Sequence, residues 1–239
     1  MPAGRTVLLR ALESRRTVQG STATRPERGE TPLISNETVI SYLQRLASGA
    51  PTPGGGAAAG LHAAQAAALV SMVAEFTSGP RYEAVREQAQ QIARQAKAMM
   101  RQGLGAAEED ERLFGALGAA YKLPKDSAEQ KSLRSAAIQD ATIAAAAPLV
   151  TTVEASIEVI KLAQRLLPIG NRSVISDVAA AAEAARAALA TALATLEMNI
   201  GAINDIAQRD RLVQVASQAS EAIALAEELS ASARTAVAA

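Results

Sequence analysis

The chain has 239 residues, with 24 Lys+Arg balanced by 24 Asp+Glu, no cysteine, one histidine and only 2% aromatic residues. The balance excludes the broad basic field that nucleic-acid binding needs. The absence of thiols and the lone His62 exclude disulfides, a thiolate nucleophile and any multi-histidine metal centre.

Residues 1–33 stand apart from the rest. They carry Arg5, Arg10, Arg15, Arg16, Arg25 and Arg28 against Glu13, Glu27 and Glu30, and Val7-Leu8-Leu9 is too short for a secretory apolar region. An Arg- and Ser-containing, acid-poor leader has the composition of a transit peptide. The absence of a periodic apolar face reads instead as a disordered N-terminal extension. Residues 34–239 then form one helical domain, and the composition fits a cytoplasmic protein.

Ordered structure is expected from Ser35-Asn36, as a helix cap with Glu37 in the first turn and Val39, Leu43 and Leu46 on one face. That helix ends at Ser48-Gly49 and feeds the loop Ala50-Pro51-Thr52-Pro53-Gly54-Gly55-Gly56. Three consecutive glycines at the mouth of a helix admit two readings. One is a seat for an anion or carbonyl on free backbone N–H groups, and the other is a tight turn that lets two helices cross closely. No Lys-Ser/Thr follows, so the loop is not a P-loop. Ala57 to Ala74 contains no charge and is long enough to span a bilayer. Its alanines, His62, Gln65 and Ser71, and the lack of aromatic or basic flanks, read as a helix surrounded by other helices rather than a membrane span. His62 is expected to be a satisfied or rim-exposed residue rather than a catalytic one.

After the break at Thr77-Ser78-Gly79-Pro80, Arg81 to Tyr121 reads as a long helix. Leu123-Pro124 ends it, and Asp126 with Glu129 forms a capping box for the next helix. That helix is expected to kink at Pro148 and end near Leu167. Pro168-Ile169-Gly170-Asn171 is a turn; an alanine-rich helix starts at Ser173 or Ser176 and reaches about Ile206, and a last one occupies about Arg211 to Arg234. No stretch alternates with period two. The expected architecture is all-α, a bundle of about six helices, two of them long, with a Gly-rich loop between the first two.

Polar residues that interrupt apolar faces gather near the predicted helix ends: Arg81-Tyr82, Asp110 beside Glu108 and Glu109, Tyr121 to Lys125 with Arg134, Asn171 and Asp177, and Asn199 with Asn204. Asn199 interrupts an alanine face, where an unpartnered amide would be costly. With Leu43 to Gly56, Asp110-Glu111-Arg112-Leu113-Phe114, Ala120-Tyr121-Lys122-Leu123-Pro124-Lys125, and Gly170-Asn171 with Ser176-Asp177, the chain resembles the cyclodeaminase/cyclohydrolase family. Those folate enzymes occur as the C-terminal half of formiminotransferase-cyclodeaminase and as stand-alone methenyltetrahydrofolate cyclohydrolase. The resemblance runs from about Ser35 to Asp210. It implies an all-helical homodimer that takes a tetrahydrofolate derivative as substrate and uses no metal. The chain departs from the family pattern at Thr77 to Tyr82, one residue short with Arg81 its only cation, at Ser173 in place of an asparagine, and in the five-residue spacing of Asn199 and Asn204.

The resemblance implies Asp110, Asp177 and Lys125 as catalytic residues, with either aspartate able to be the acid/base. Pro53, Gly54, Gly55, Gly56, Arg81, Tyr121, Arg134, Asn171 and Asn199 are implied as substrate-binding. The chemistry fits these residue types. Hydrolysing the cationic methenyl carbon between N5 and N10 needs a carboxylate to orient water and carry a proton, and the glutamate tail of folate suits Lys or Arg. The expected function is hydrolysis of 5,10-methenyltetrahydrofolate to 10-formyltetrahydrofolate, favoured by a chain without room for a formiminotransferase domain. The alternatives are formimidoyltetrahydrofolate cyclodeamination, which passes through the same kind of tetrahedral carbon, and a catalytically weakened member that binds folate or protein. A purely structural bundle is argued against by the ordered motifs.

Overall fold

The computed structural model describes residues 33–238; the disordered extension expected over residues 1–33 falls outside them but for Leu33. Among the described residues the fold is helical with no strand. The α-helices are α1 Val39–Leu46, α2 Gly55–Phe76, α3 Arg86–Tyr121, α4 Ala128–Ala145, α5 Ala147–Leu166, α6 Ser176–Ala202 and α7 Ile206–Ala238. Short 3₁₀ turns occupy Ile34–Asn36, Pro80–Val85 and Arg172–Val174. The helices α4 and α5 are separated only by Ala146, so they correspond to the single kinked helix expected from sequence. Pro148 lies in the first turn of α5, where no intrahelical N–H is required.

Helix α2, uncharged until Glu75 near its end, is the axis of the bundle and packs against α3, α5 and α6; α7 closes over α5 and α6, and α4 lies along α3. Its length and composition would suit a bilayer, as would those of α4–α5 and α6. Here those apolar faces meet one another. The core is a small-residue mesh of Ala59, Ala66, Ala67, Ala181, Ala185 and Ala192, locked by Val70, Val73, Leu149, Leu162, Leu166, Leu189 and Leu196. The α2–α3 crossing is the tightest. A Cβ on Gly60 would lie 2.7 Å from both Ala107 N and Gly103 O, so the two backbones touch.

Several boundaries differ from the sequence expectation. The first helix is capped by Thr38, whose hydroxyl accepts from the Ser41 N–H, and not by Ser35-Asn36, which belong to a 3₁₀ turn. The α4 cap is Ser127 with Gln130, a full capping box one residue on from Asp126 and Glu129. The last helix begins at Ile206, because Asp205 there accepts from the Gln208 N–H and the chain needs only Ile203–Asp205 to turn. The largest correction concerns α1. Of the apolar face Val39, Leu43 and Leu46, only Leu46 packs inward; Val39 and Leu43 are 77% and 49% exposed, whereas Tyr42 is buried. Tyr42 joins a small second core of Ile34, Ala57 and Ala107, which pins α1 across the start of α2 and the middle of α3.

Candidate functional site

The site begins with an uncapped helix. Gly54 at the N-cap of α2 is extended and has no side chain to accept from the first-turn amides. Asp110, from the middle of α3, supplies the missing acceptor: its carboxylate receives the Ala57 N–H. Gly56 has to be glycine for this, because a Cβ there would overlap the carboxylate, with Oδ2 only 2.7 Å away. The triple-glycine segment is thus the first turn of a helix, shaped around an aspartate on its neighbour.

Two effects on Asp110 oppose each other. Burial disfavours its charge, and the neighbouring Glu111 adds repulsion; the Ala57 N–H at the positive end of α2 favours the carboxylate. Burial wins: Asp110 is 8% exposed as a residue, and its carboxyl pKa is pushed up to about 6. An aspartate held there exchanges its proton near neutral pH, which suits it to acid/base work.

Asp110 opens into a cavity of about 240 Å³. Pro51, Thr52 and Gly54–Gly56 form one wall, Asp110 and Phe114 of α3 a second, Ala145 at the end of α4 a third, and Thr195, Met198 and Asn199 of α6 the last. Phe114 follows Asp110 by four residues, and Asn199 follows Thr195 by four, so each pair shares a helix face. The cavity therefore combines one carboxyl group, two hydroxyls and one amide with a largely apolar wall. No lysine or arginine lines it. Among the described residues no cluster of three or more His, Asp or Glu is placed to hold a metal.

The structure gathers Asp110, Gly54, Gly55, Gly56 and Asn199 of the predicted residues, and separates the others. Pro53 is buried beneath the loop, joined to Thr52 by a cis peptide, and does not line the cavity. Tyr121, Lys125 and Arg134 lie at the α3–α4 corner, where the Arg134 guanidinium donates to Tyr121 O at 3.1 Å and stacks over the Tyr121 ring. Arg81, Asn171 and Asp177 are at the opposite end of the bundle. Asn171 knots that end together: its N–H donates to Thr77 Oγ1 at 3.0 Å and its side-chain amide to Phe76 O at 2.8 Å. Asp177 sits in the first turn of the 27-residue α6, and Asn199 near its end. The intervening helix is about 33 Å long, so within one chain Asp177 cannot share the Asp110 cavity or exchange roles with it. His62 is partly exposed on α2 and lies outside the cavity, as expected.

The formiminotransferase-cyclodeaminase family matches residues 38–218, the span that builds this cavity and both bundle ends. The chain belongs to the formiminotransferase-cyclodeaminase family. It is 37% identical over 199 residues to the methenyltetrahydrofolate cyclohydrolase of Methylorubrum extorquens, covering 82% of this chain and 96% of that one. It is 29% identical over 160 residues to the formimidoyltransferase-cyclodeaminase of Rattus norvegicus, covering 66% of this chain but only 30% of that protein. The fold is also that of the formiminotetrahydrofolate cyclodeaminase from Thermotoga maritima, with a TM-score of 0.72 and 23% identity over 86% of this chain and 98% of that one.

Thr195 and Met198 on α6 were not among the residues expected at the site, nor were the partners of the charged residues around Asp110. Thr195 was findable, because it stands one helical turn before Asn199. Glu108 to Glu111 look like a solvated acidic run, yet each has its own partner. Glu108 accepts the Ser35 N–H, Glu109 pairs with Arg112, Asp110 takes the Ala57 N–H, and Glu111 pairs with Arg45. Four successive residues on a helix point about 100° apart, so one run serves four directions.

Proposed function

We propose that this protein hydrolyses 5,10-methenyltetrahydrofolate to 10-formyltetrahydrofolate, with Asp110 as the acid/base. The observation that carries the reading is the buried Asp110 carboxyl, poised near pH 6 on the first turn of α2 and facing an apolar cavity with few polar groups. The substrate's methenyl carbon carries positive charge shared with N5 and N10. A carboxylate in a low-dielectric pocket attracts that charge and orients a water against it. As the water oxygen bonds to carbon, its proton passes to Asp110. The resulting neutral adduct collapses when the C–N5 bond breaks. Asp110 returns its proton to N5, and the adduct's hydroxyl proton leaves to solvent as the formyl C=O forms on N10. One water is consumed and one proton released. Thr195 and Asn199 supply hydrogen bonds to the ligand's polar edges, and Phe114 and Met198 cover its apolar faces.

The similarity to the Methylorubrum extorquens cyclohydrolase over 96% of that chain favours hydrolysis over cyclodeamination. In cyclodeamination, N10 would attack the formimino carbon and ammonia would leave, through the same kind of adduct. Purified protein given methenyltetrahydrofolate should consume its chromophore with no ammonia involved. Turnover of the formimino substrate with ammonia release, and none of the methenyl substrate, would reverse the assignment.

A homodimer is part of the proposal. The exposed stripe of Val39, Ile40 and Leu43 on α1 supports it, as does the exposure of Phe114 and Met198 at the cavity. Apolar surface of this kind is stabilised by covering it. The cavity holds no cation for a glutamate tail, whereas Arg81, Lys125 and Arg134 lie at the two ends of the bundle. A second copy packed antiparallel would bring its Arg81–Asn171–Asp177 end toward the cavity of the first.

A further inference from the structure

Asp110 has a charged surround that does not touch the cavity. Arg45 of α1 donates from Nη2 to Glu111 Oε1 at 2.5 Å, and its Nε lies 3.5 Å from Glu37 Oε1 without a hydrogen bond. The Glu37 side chain is 4% exposed, and neither of its oxygens has a hydrogen-bond partner. The Tyr42 hydroxyl is buried among these groups, also unpartnered, and burial and Glu111 push its pKa up, so it stays a neutral phenol. The region therefore holds three carboxyl groups, Glu37, Asp110 and Glu111, against one guanidinium. The other elements packed on Asp110 bring no charge. The α2 helix offers the Ala57 N–H, α4 offers Ala145, and α6 offers Thr195, Met198 and Asn199. Glu108 and Glu109 turn away to Ser35 and Arg112.

We propose that Arg45 is a positioning residue for the reaction: held between Glu111 and Glu37, it offsets their charge so that Asp110 can both take and give a proton. This rests on the reading of Asp110 as the acid/base. Glu111 adjoins Asp110 in sequence and repels its charged form. Paired with Glu111, Arg45 offsets that repulsion, and Asp110 ionises more easily and can accept a proton from water. Without Arg45, the Glu111 carboxylate repels Asp110 unopposed, and Asp110 holds its proton to higher pH and works less well as a base. Without the Glu111 charge, that repulsion is gone while the Arg45 guanidinium remains; the Asp110 carboxylate is then more stable and its acid form is scarcer for the return of the proton to N5. The two losses move Asp110 in opposite directions, which a merely structural role would not do.

The test labels the full-length protein with [4-¹³C]aspartate, assigns Asp110 by its disappearance in Asp110→Asn, and follows its carboxyl resonance with pH. Arg45→Met should move the midpoint up by about half a pH unit or more, and Glu111→Gln should move it down by a similar amount. Arg45→Lys should leave it near the wild-type value. The acid limb of the pH–rate profile with methenyltetrahydrofolate should move with the midpoint. If Arg45→Met does not fold, Glu111→Gln and Arg45→Lys carry the test. A Glu111→Gln midpoint that stays put or moves up overturns the inference while leaving Asp110 as acid/base intact. Midpoints that shift as expected with an unmoved rate limb, or full turnover by Asp110→Asn, overturn the acid/base reading and the inference with it.

Discussion

Gly56 and Asp110 occupy one another's space: the absent side chain of the glycine is the room in which the carboxylate sits, against the first turn of α2. That relationship separates two neighbouring glycines that look alike in sequence. Alanine at Gly56 must push Asp110 off the Ala57 N–H, so it should cost both stability and turnover. Alanine at Gly55 meets only Thr195 Oγ1 at 3.7 Å and Thr191 Cγ2 at 3.8 Å, ordinary contacts, and should fold normally. Because Gly55 lines the cavity, its new methyl should still weaken folate binding by about tenfold, or 1.4 kcal/mol. Thermal melts and a ligand titration on both variants check this. Normal binding by Gly55→Ala would make the cavity wall there irrelevant to the ligand.

Asp110→Asn keeps the shape of the side chain, and its amide oxygen can still accept the Ala57 N–H. Ligand binding should survive, while turnover should fall by about two orders of magnitude or more, the usual scale for a general acid/base. Steady-state rates with methenyltetrahydrofolate decide it.

The raised pKa of Asp110 also has a sign in stability. Its carboxyl binds a proton more tightly in the folded protein than in the unfolded chain, so its favourable contribution is complete below the ordinary aspartate range and is lost as pH rises through about 6. A shift from 3.8 to about 6 is worth about 3 kcal/mol at the alkaline end. Asp110→Asn, which has no charge to bury, should therefore gain stability relative to wild type between pH 5 and pH 8. Denaturant melts at the two pH values should show the difference growing with pH. A difference independent of pH would show that Asp110 ionises as easily as an exposed carboxylate.

Much of this was legible in the sequence because helices repeat. The all-α class, the break at Pro148, and the central helix with its charge-free run from Ala57 to Ala74 followed from apolar periodicity and from its interruption. Asp110 with Phe114, and Asn199 as a polar break in an alanine face, pointed to the cavity. Periodicity failed where an apolar stripe did not face the core. Val39 and Leu43 look like any buried helix face, and hydrophobicity cannot say which surface a stripe will meet. The opposite side of α1, with Tyr42 and Arg45, and Glu37 just before the helix look solvated but pack beside Asp110. Asn171, expected at the substrate site, lies at the far end of the bundle from the Asp110 cavity, because residues joined in a family pattern need not be close within one chain.

Asn171 has a structural occupation of its own. It accepts the Ser173 N–H through Oδ1, donates to Phe76 O, and its N–H reaches the buried Thr77 hydroxyl. Asn171→Ala leaves the Phe76 carbonyl and the Ser173 N–H without their side-chain partner. It should destabilise the protein by about 1–3 kcal/mol, measurable in denaturant melts. An unchanged melt would free Asn171 for a purely ligand-directed role.

The separation of Asp110 from Asp177 by the length of α6 gives the sharpest test of assembly. If one folate site draws on both ends of the bundle, it has to be built from two copies. Each inactivating substitution then damages a different contribution to the site. Asp110→Asn and Asp177→Asn homodimers should both be weak. Denatured together and refolded, half of the dimers should be mixed, and each mixed dimer keeps one site with both wild-type aspartates. The mixture should recover about a quarter of wild-type turnover. Light scattering should give a dimer throughout. Glutamates at Val39 and Leu43, whose side chains touch little within one chain, should convert it to a well-folded monomer of low activity. A monomeric wild-type protein, or no recovery on mixing two folded and individually weak variants, would overturn a site shared between copies, and full turnover by Asp177→Asn would leave Asp177 with no part in the chemistry.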